Sequence, residues 1–226
     1  YALIELHRQN VAVPIVQHIE NELIVFDWLP AQVGFSLKAE IDCADEIARL
    51  HKVQSNTFGS MYDQIIGDCC EPAYQSTSWL DVYCNRLNHH IAAIESKVAA
   101  PTELLERTKK LIHSIDKILP EPSYSTLCHG DLWSGNILCS KNHVLGFIDP
   151  TLLWAVPEYD LAMLDLFGGI GAHFWQQYWS KHKKPANFEQ ILPLYKLYYW
   201  LVHVEIYGQT YFGHWQSCLE RCESPS

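Results

Sequence analysis

The segment that most constrains this chain is "LCHGDLWSGNILCSKNHVLGFIDP", residues 127–150. His129, Asp131 and Asn136 stand at the spacing H-x-D-x-x-x-x-N, and Asp149 follows thirteen residues after the asparagine. A polar turn that feeds two core strands could contain the same residue types, because Gly, Asp and Asn are common in loops. Four polar positions at this spacing, interleaved with apolar runs, favour a functional site instead.

Two short apolar runs flank the polar turn "SKNH", at about 136–139 and 144–148, and they predict a β-hairpin. Asn136 begins the first strand and Asp149 ends the second, so we expect the hairpin to bring their side chains together. An amide and a carboxylate oxygen are ligands that Mg²⁺ accepts. The spacing also matches the catalytic loop of protein kinases, in which the Asp accepts a hydrogen bond from the attacking hydroxyl. Asp131 is the candidate for that role.

Composition limits the possible partners. The chain has 226 residues, is 48% hydrophobic and has a formal charge of -10, with no Lys/Arg-rich run. These features argue against nucleic acid or an anionic membrane as the main partner, and the apolar runs are too interrupted to span a bilayer. Eight cysteines without a C-x-x-C pair, and no secretory signal, predict reduced thiols in the cytoplasm. Twelve histidines without an H-x-x-x-H pair do not predict a zinc site.

The order of elements predicts an α+β fold, with a small strand-containing N-terminal piece and a helical body that contains the hairpin. Residues 59–76 show no clear period and are predicted to be mostly loop. The other expected elements are the end of a helix before Pro14, a hairpin turning at Asn21 with its second strand over Leu23 to Leu29, helices over about 37–53, 79–94 and 101–119, and further helices after Asp160, the last opening near Pro193.

The motif "HGDLWSGN" resembles the signature of the fructosamine kinase (ketosamine-3-kinase) family, within a broader group that includes aminoglycoside phosphotransferases and choline kinases. Four further blocks resemble that family in the same order, so the resemblance covers nearly the whole chain. They are "ARLHKVQSNTFGS", "QSTSWLDVYCNRL", "DLAMLDLFGG" and "PLYKLYYWLVHVEIYG".

The resemblance implies a protein-kinase-like two-lobe fold and a role for each matching residue. Asp131 would be the catalytic base, Asn136 and Asp149 would bind magnesium, and ATP would be the phosphoryl donor. His129 would help hold the catalytic loop, and Asp160 would brace that loop through its backbone. The remaining implied roles are substrate binding by Trp133 and Trp79, and adenine binding by the backbone of the segment linking the lobes, Phe26, Asp27 and Trp28. For Trp133, plain packing is an equal alternative.

The sequence also departs from the family pattern. It has no glycine-rich loop and no lysine before Lys38, both of which such a kinase needs at the phosphates. Pro157 stands where the family has a basic residue, and Thr77 where it has Asn. We interpret residues 1–30 as the remnant of a nucleotide-binding lobe and 31–226 as the helical catalytic lobe, with its hairpin at 136–149. A hairpin alone is marginal, which favours truncation over a pseudokinase or strands supplied by a partner.

The sequence therefore predicts an ATP- and Mg²⁺-dependent kinase that phosphorylates a sugar hydroxyl of a glycated amine, the 3-hydroxyl of a free or protein-bound ketosamine, as a step in deglycation. Two alternatives stay open. One is a kinase for another small molecule, such as an aminoglycoside or choline, and the other is a non-catalytic pseudokinase that acts as a binding module. The sequence does not indicate an oligomeric state or the physiological acceptor.

Overall fold

The N-terminal part of the computed structural model contains one short helix and one hairpin; the structure describes residues 1–21, 23–32 and 34–224. Helix α1 spans Ala2–Arg8, and strands β1 (Val16–Glu20) and β2 (Leu23–Phe26) pair antiparallel around Asn21, whose φ is 49°. The predicted hairpin is confirmed. Its second strand is shorter than predicted and ends at Phe26 instead of Leu29.

In the part of the chain that the structure describes, seven further helices form the body of the molecule, and α7 lies at its centre, in contact with α3, α5 and α8. Most of its length is buried. These helices are α2 (Leu37–Leu50), α3 (Trp79–Lys97), α4 (Thr102–His113), α5 (Pro157–Leu166), α6 (Ala172–Lys181), α7 (Phe188–Tyr207) and α8 (Phe212–Glu223).

The predicted helices are found, with three boundary corrections. Helix α4, predicted to reach about residue 119, ends at His113 and is followed by a separate 3-10 turn over Ile115–Lys117. Helix α2 ends at Leu50, where His51 caps it, and not near Val53.

Helix α7 begins five residues before Pro193, which therefore lies inside the helix. The proline lacks only the one N–H that would donate to the carbonyl of Glu189. Glu189 is exposed, so water can donate to that carbonyl instead. Within the described residues, none of the helices is both long and apolar enough to cross a membrane.

The segment predicted to be mostly loop, 59–76, contains four short strands, which is a correction. Two of them join a five-stranded sheet of order β3-β8-β11-β4-β7, and the other two pair with each other. Strands of two to four residues are too short to show a period, and their partners lie far away in the sequence. The strands are β3 (Gln54–Ser55), β4 (Phe58–Ser60), β5 (Gln64–Ile66), β6 (Cys69–Glu71), β7 (Tyr74–Ser76), β8 (Ser125–Cys128) and β11 (Leu153–Ala155).

The hairpin predicted after the H-x-D motif is confirmed within one residue at each end. Strands β9 (Ile137–Cys139) and β10 (Val144–Phe147) pair antiparallel, with Phe147 opposite Ile137. The N–H of Ile148 then donates to the carbonyl of Asn136 at 3.0 Å. The residues that precede β9 and follow β10 are therefore held at the same end of the hairpin.

Candidate active site

The loop from His129 to Asn136 connects β8 to β9, and its sharp turn depends on glycine. Gly130 has φ +88°, and a Cβ at this position would lie 2.0 Å from Oγ1 of Thr151. A residue with a side chain would meet both backbone strain and this clash. The glycine in "HGD" thus allows the loop to pass close to the segment that follows Asp149.

A buried carboxylate holds the start of this loop. Asp160, in the first turn of α5, accepts hydrogen bonds from the backbone N–H of His129 at 2.7 Å and of Gly130 at 2.8 Å. This is the backbone contact that the family resemblance implies. His51 Nε2 lies 3.1 Å from Asp160 Oδ2, and its Nδ1 lies 2.8 Å from the hydroxyl of Tyr178. The loop is therefore fixed to the helical body through a chain of buried hydrogen bonds.

Asp131 lies half-buried beyond this brace, with Asn136 as its hydrogen-bond donor. The Nδ2 group of Asn136 lies 2.9 Å from Oδ2 of Asp131 and 2.9 Å from its backbone carbonyl. Burial above all, and to a smaller extent the charges of Asp149 and Asp160, raise the pKa of Asp131 to about 6 against the opposing hydrogen bond from Asn136. A carboxyl group with this pKa is suited to accept a proton near neutral pH.

Asn136 and Asp149 present oxygen atoms at the same end of the hairpin. Asn136 uses its amide nitrogen for both bonds to Asp131, so its Oδ1 oxygen is turned away from Asp131. Asp149 is exposed and has φ 53°, a left-handed conformation that costs energy in a non-glycine residue and that is often found at functional sites. The two groups supply the hard oxygen ligands that fit Mg²⁺. A cation there would also offset the repulsion between Asp149 and Asp131.

Trp133 stands beside the loop with a partly exposed indole. Its ring packs edge-on against Phe167, with 6.0 Å between centroids, and 37% of the residue is exposed. A Cβ on Gly135 would come within 2.3 Å of that ring, so the glycine makes room for the indole. The position allows both packing and contact with a ligand.

Comparison with known proteins decides the family. A family model described as fructosamine kinase matches residues 3–224 of the chain. The chain belongs to the fructosamine kinase family. A Synechocystis protein named "Probable ketoamine kinase" is 33% identical over 209 residues, which cover 89% of this chain and 68% of that protein.

Solved structures support the same fold for this fructosamine kinase family member. A Thermobifida fusca crystal structure, described provisionally as a fructosamine-3-kinase, has a TM-score of 0.90 at 22% identity and covers 98% of this chain and 78% of that one. An ADP-bound aminoglycoside phosphotransferase has a TM-score of 0.63 at 15% identity, with 97% and 80% covered. At these identities the likeness shows the fold. The chain spans between 66% and 72% of the length of three ketoamine kinase relatives.

One residue of the expected fructosamine kinase site lies elsewhere. Trp79 was expected beside the substrate, but it is completely buried. Its ring stacks on Tyr83 with 5.3 Å between centroids, and its Nε1–H donates to the hydroxyl of Tyr195 at 3.2 Å. This is a correction: Trp79 is a core residue, because the first turn of α3 directs it inward between α7 and the sheet.

The segment expected at the adenine is mostly exposed, with only Asp27 partly buried. The N–H of Asp27 donates to the carbonyl of Ile15 at 3.0 Å, and its carboxylate accepts from Gln17 at 2.7 Å. Phe26 is also exposed, and Trp28 is 88% exposed. The next residue, Leu29, lies against Gly146 of β10, since a Cβ on that glycine would come within 2.7 Å of it. The segment therefore lies next to the hairpin that carries Asn136 and Asp149.

Sequence reasoning missed His51 and Tyr178, which complete the support of the loop. His51 caps the end of α2 and continues the buried face of that helix, which contains Ile47 and Ala48. A histidine on an otherwise apolar helix face signals a buried polar partner, but the sequence does not indicate which one.

Proposed function

We propose that the full-length protein transfers the γ-phosphoryl group of ATP to a sugar hydroxyl of a glycated amine, namely the 3-hydroxyl of a ketosamine. Phosphorylation of this adduct would begin its removal from the amine, so the biological role would be deglycation. The observation that carries the proposal is the arrangement of Asp131, Asn136 and Asp149 around one end of the β9–β10 hairpin.

Asp131 is the residue that we assign to the acceptor hydroxyl. Its carboxylate accepts the hydroxyl proton as the oxygen attacks the γ-phosphorus and the bond from that phosphorus to the bridging oxygen breaks, releasing ADP. Its raised pKa suits a base that must later release the proton. Asn136 orients the carboxylate through its Nδ2 group. Asp160 and His129 keep the loop in place, because a base must stay within hydrogen-bond reach of the proton.

Asn136 and Asp149 are the residues that we assign to Mg²⁺. Their oxygens would hold the cation beside the nucleotide phosphates, where it would supply neutralisation of negative charge. The backbone of Phe26–Trp28 is the proposed adenine contact. The N–H of Asp27 already donates to the carbonyl of Ile15, so the backbone N–H that donates to adenine would be that of Trp28 or of a later residue.

Trp133 is the proposed contact for the sugar or for the aliphatic stem of the amine. Its partly exposed indole lies two residues from Asp131, and an aromatic face binds such apolar ligand surface well. The cytoplasmic location stays a prediction.

The test is a phosphoryl-transfer assay with the full-length protein, Mg-ATP and a synthetic ketosamine, followed by ³¹P NMR of the product. Asp131→Asn is expected to lower kcat by about a hundredfold or more, with little change in melting temperature. Aminoglycoside and choline serve as competing acceptors. Turnover of either in preference to the ketosamine, or full activity in Asp131→Asn, would contradict the proposal. A protein that folds but transfers phosphate to none of them would support a binding module.

A further inference from the structure

The peptide group between Gly130 and Asp131 determines the direction in which the proposed base points. This peptide follows a glycine with φ +88°, and a residue without a Cβ does little to resist rotation of the peptides beside it. The Cα of Asp131 comes directly after this peptide, so even a small rotation of the peptide moves the carboxylate. Hydrogen bonds to the peptide must therefore hold it in place.

The backbone groups of the "HGD" stretch have hydrogen-bond partners, and one of these partners comes from α7. The N–H groups of His129 and Gly130 donate to Asp160, and the carbonyl of His129 accepts from the N–H of Leu152 at 2.9 Å. The carbonyl of Gly130 is buried and accepts from the hydroxyl of Tyr199 at 3.1 Å. Among the residues that the structure describes, this hydroxyl is its one donor.

Tyr199 lies in the middle of α7, and its hydroxyl is placed between two carbonyl groups. Besides Gly130, it lies 3.3 Å from the carbonyl oxygen of Tyr159 in the first turn of α5. Both distances are long for a hydroxyl donor, as expected where one proton is shared between two acceptors. The ring is buried and packs on that of Tyr159 with 5.1 Å between centroids. Packing thus fixes the ring, and the hydroxyl connects the loop to α5 and α7.

The nitrogen of the same peptide is held by His129. The N–H of Asp131 donates to Nδ1 of His129 at 3.3 Å, and this nitrogen accepts only when it carries no proton. Burial lowers the pKa of His129, which favours the neutral imidazole that can accept at Nδ1. The peptide is therefore held at both of its polar atoms, with Tyr199 on the oxygen and His129 on the nitrogen.

We propose that Tyr199 is a positioning residue for phosphoryl transfer: its hydroxyl fixes the plane of the Gly130–Asp131 peptide and so keeps the Asp131 carboxylate directed at the acceptor hydroxyl. The inference rests on the proposed function. Tyr199 is buried behind the loop and acts only through it. The block "PLYKLYYWLVHVEIYG" thus contributes to the site through this tyrosine.

Tyr199→Phe tests this role in the full-length protein with Mg-ATP and a ketosamine. Phenylalanine keeps the packed ring and removes only the hydroxyl. We expect kcat to fall about tenfold, because a small displacement of a catalytic group is costly, and the KM values for both substrates to change less than about twofold. A general loss of stability would not lower kcat selectively in this way in the protein that stays folded.

Tyr83→Phe is the matched control. Tyr83 is also buried and donates its hydroxyl proton to a backbone carbonyl, that of Leu194 at 2.5 Å, but this carbonyl belongs to α7 and not to the loop. Each substitution should lower the melting temperature by about 2–4 °C, and only Tyr199→Phe should lower kcat. An equal kcat in the two variants, or a higher KM without a loss of kcat in Tyr199→Phe, would overturn the proposal.

Hydrogen exchange separates this inference from the proposed function. Mass spectrometry measures the amide protection of residues 129–136 in the unmodified protein and in both variants, without any substrate. Exchange there should be several-fold faster in Tyr199→Phe and unchanged in Tyr83→Phe. If this is found but the unmodified protein transfers phosphate to no acceptor, Tyr199 holds the loop as assigned and the proposed function is wrong. If phosphate is transferred and Tyr199→Phe leaves both exchange and kcat unchanged, the kinase proposal stands and the role of Tyr199 is wrong.

Discussion

The loop from His129 to Asn136 and the β1–β2 hairpin both contribute residues to the candidate active site, but the structure holds them in opposite ways. The loop is fixed by a buried carboxylate, with His51 and Tyr178 behind it. The four residues of β2 are apolar and all exposed. The loop thus has a defined geometry within this chain, whereas the hairpin presents apolar surface that nothing in the described residues covers.

The difference shows which of the two regions contributes more to the free energy of unfolding. A buried polar group must have its partners inside the same chain, so the residues around Asp160 form a complete network. An apolar strand gains stability only when something covers it, and a two-stranded hairpin has little stability of its own. We therefore expect mutations to cost much at the loop and little at the hairpin.

Asp160→Asn should have the largest effect on stability. Asparagine has one side-chain oxygen and one NH2 group, so one of the two backbone N–H groups loses its acceptor and meets a donor instead. The buried charge is also removed. We therefore expect a loss of about 3 kcal/mol in the free energy of unfolding. Urea denaturation measures it. Asp68→Asn, on an exposed turn, is the control and should change stability by less than about 0.5 kcal/mol. Equal effects of the two substitutions would mean that the brace is not what holds the loop.

The pH dependence of turnover tests the state of Asp131. Its pKa is raised to about 6, above the usual value for a carboxyl group, so the proton-accepting form is lost as the pH falls through 6. In the full-length protein kcat/KM should decrease about tenfold per pH unit below that value. A profile that stays flat down to pH 5 would show that Asp131 is ionised there, and the burial that we hold responsible would then not raise its pKa.

Gly135→Ala should have an intermediate effect. The added Cβ lies where the Trp133 ring now packs, so the indole must move away from the loop. We expect about a tenfold higher KM for the acceptor, a smaller change in kcat and a loss of about 1 kcal/mol in stability. A double-mutant cycle with Trp133→Leu checks the cause, because Gly135→Ala should then add almost nothing. Additive effects would mean that Gly135→Ala does not act through the indole, and an unchanged KM in Trp133→Leu alone would place the indole outside the acceptor site.

The features predicted correctly from sequence are local ones. The hairpin around Asn21 and the β9–β10 ribbon each lie within one short segment, where turn residues and apolar runs determine the pairing. The position of Asp149 next to the loop follows from that ribbon alone.

The features missed depend on distant contacts. His51 meets Asp160 across 109 residues and Tyr178 across 127, and no local pattern records such a pair. Trp79 was misplaced because the pattern of a helix start does not show which way a side chain points. The strands between 59 and 76 were missed because each is three residues long, too short to show a period, and forms only through pairing with another strand.

Val25→Thr should have the smallest effect on stability. It tests directly whether the apolar face of β2 is covered. Val25 is exposed in β2, and Thr keeps its shape and its preference for strands, so we expect a change of less than about 0.5 kcal/mol in the 226-residue chain. If further strands cover β2 in a longer form of the protein, the hydroxyl becomes buried there, and the same substitution should cost about 1–3 kcal/mol. Urea denaturation of both forms gives the two values. A small cost in both would mean that β2 stays exposed, and that its apolar residues serve a ligand or a partner rather than the fold.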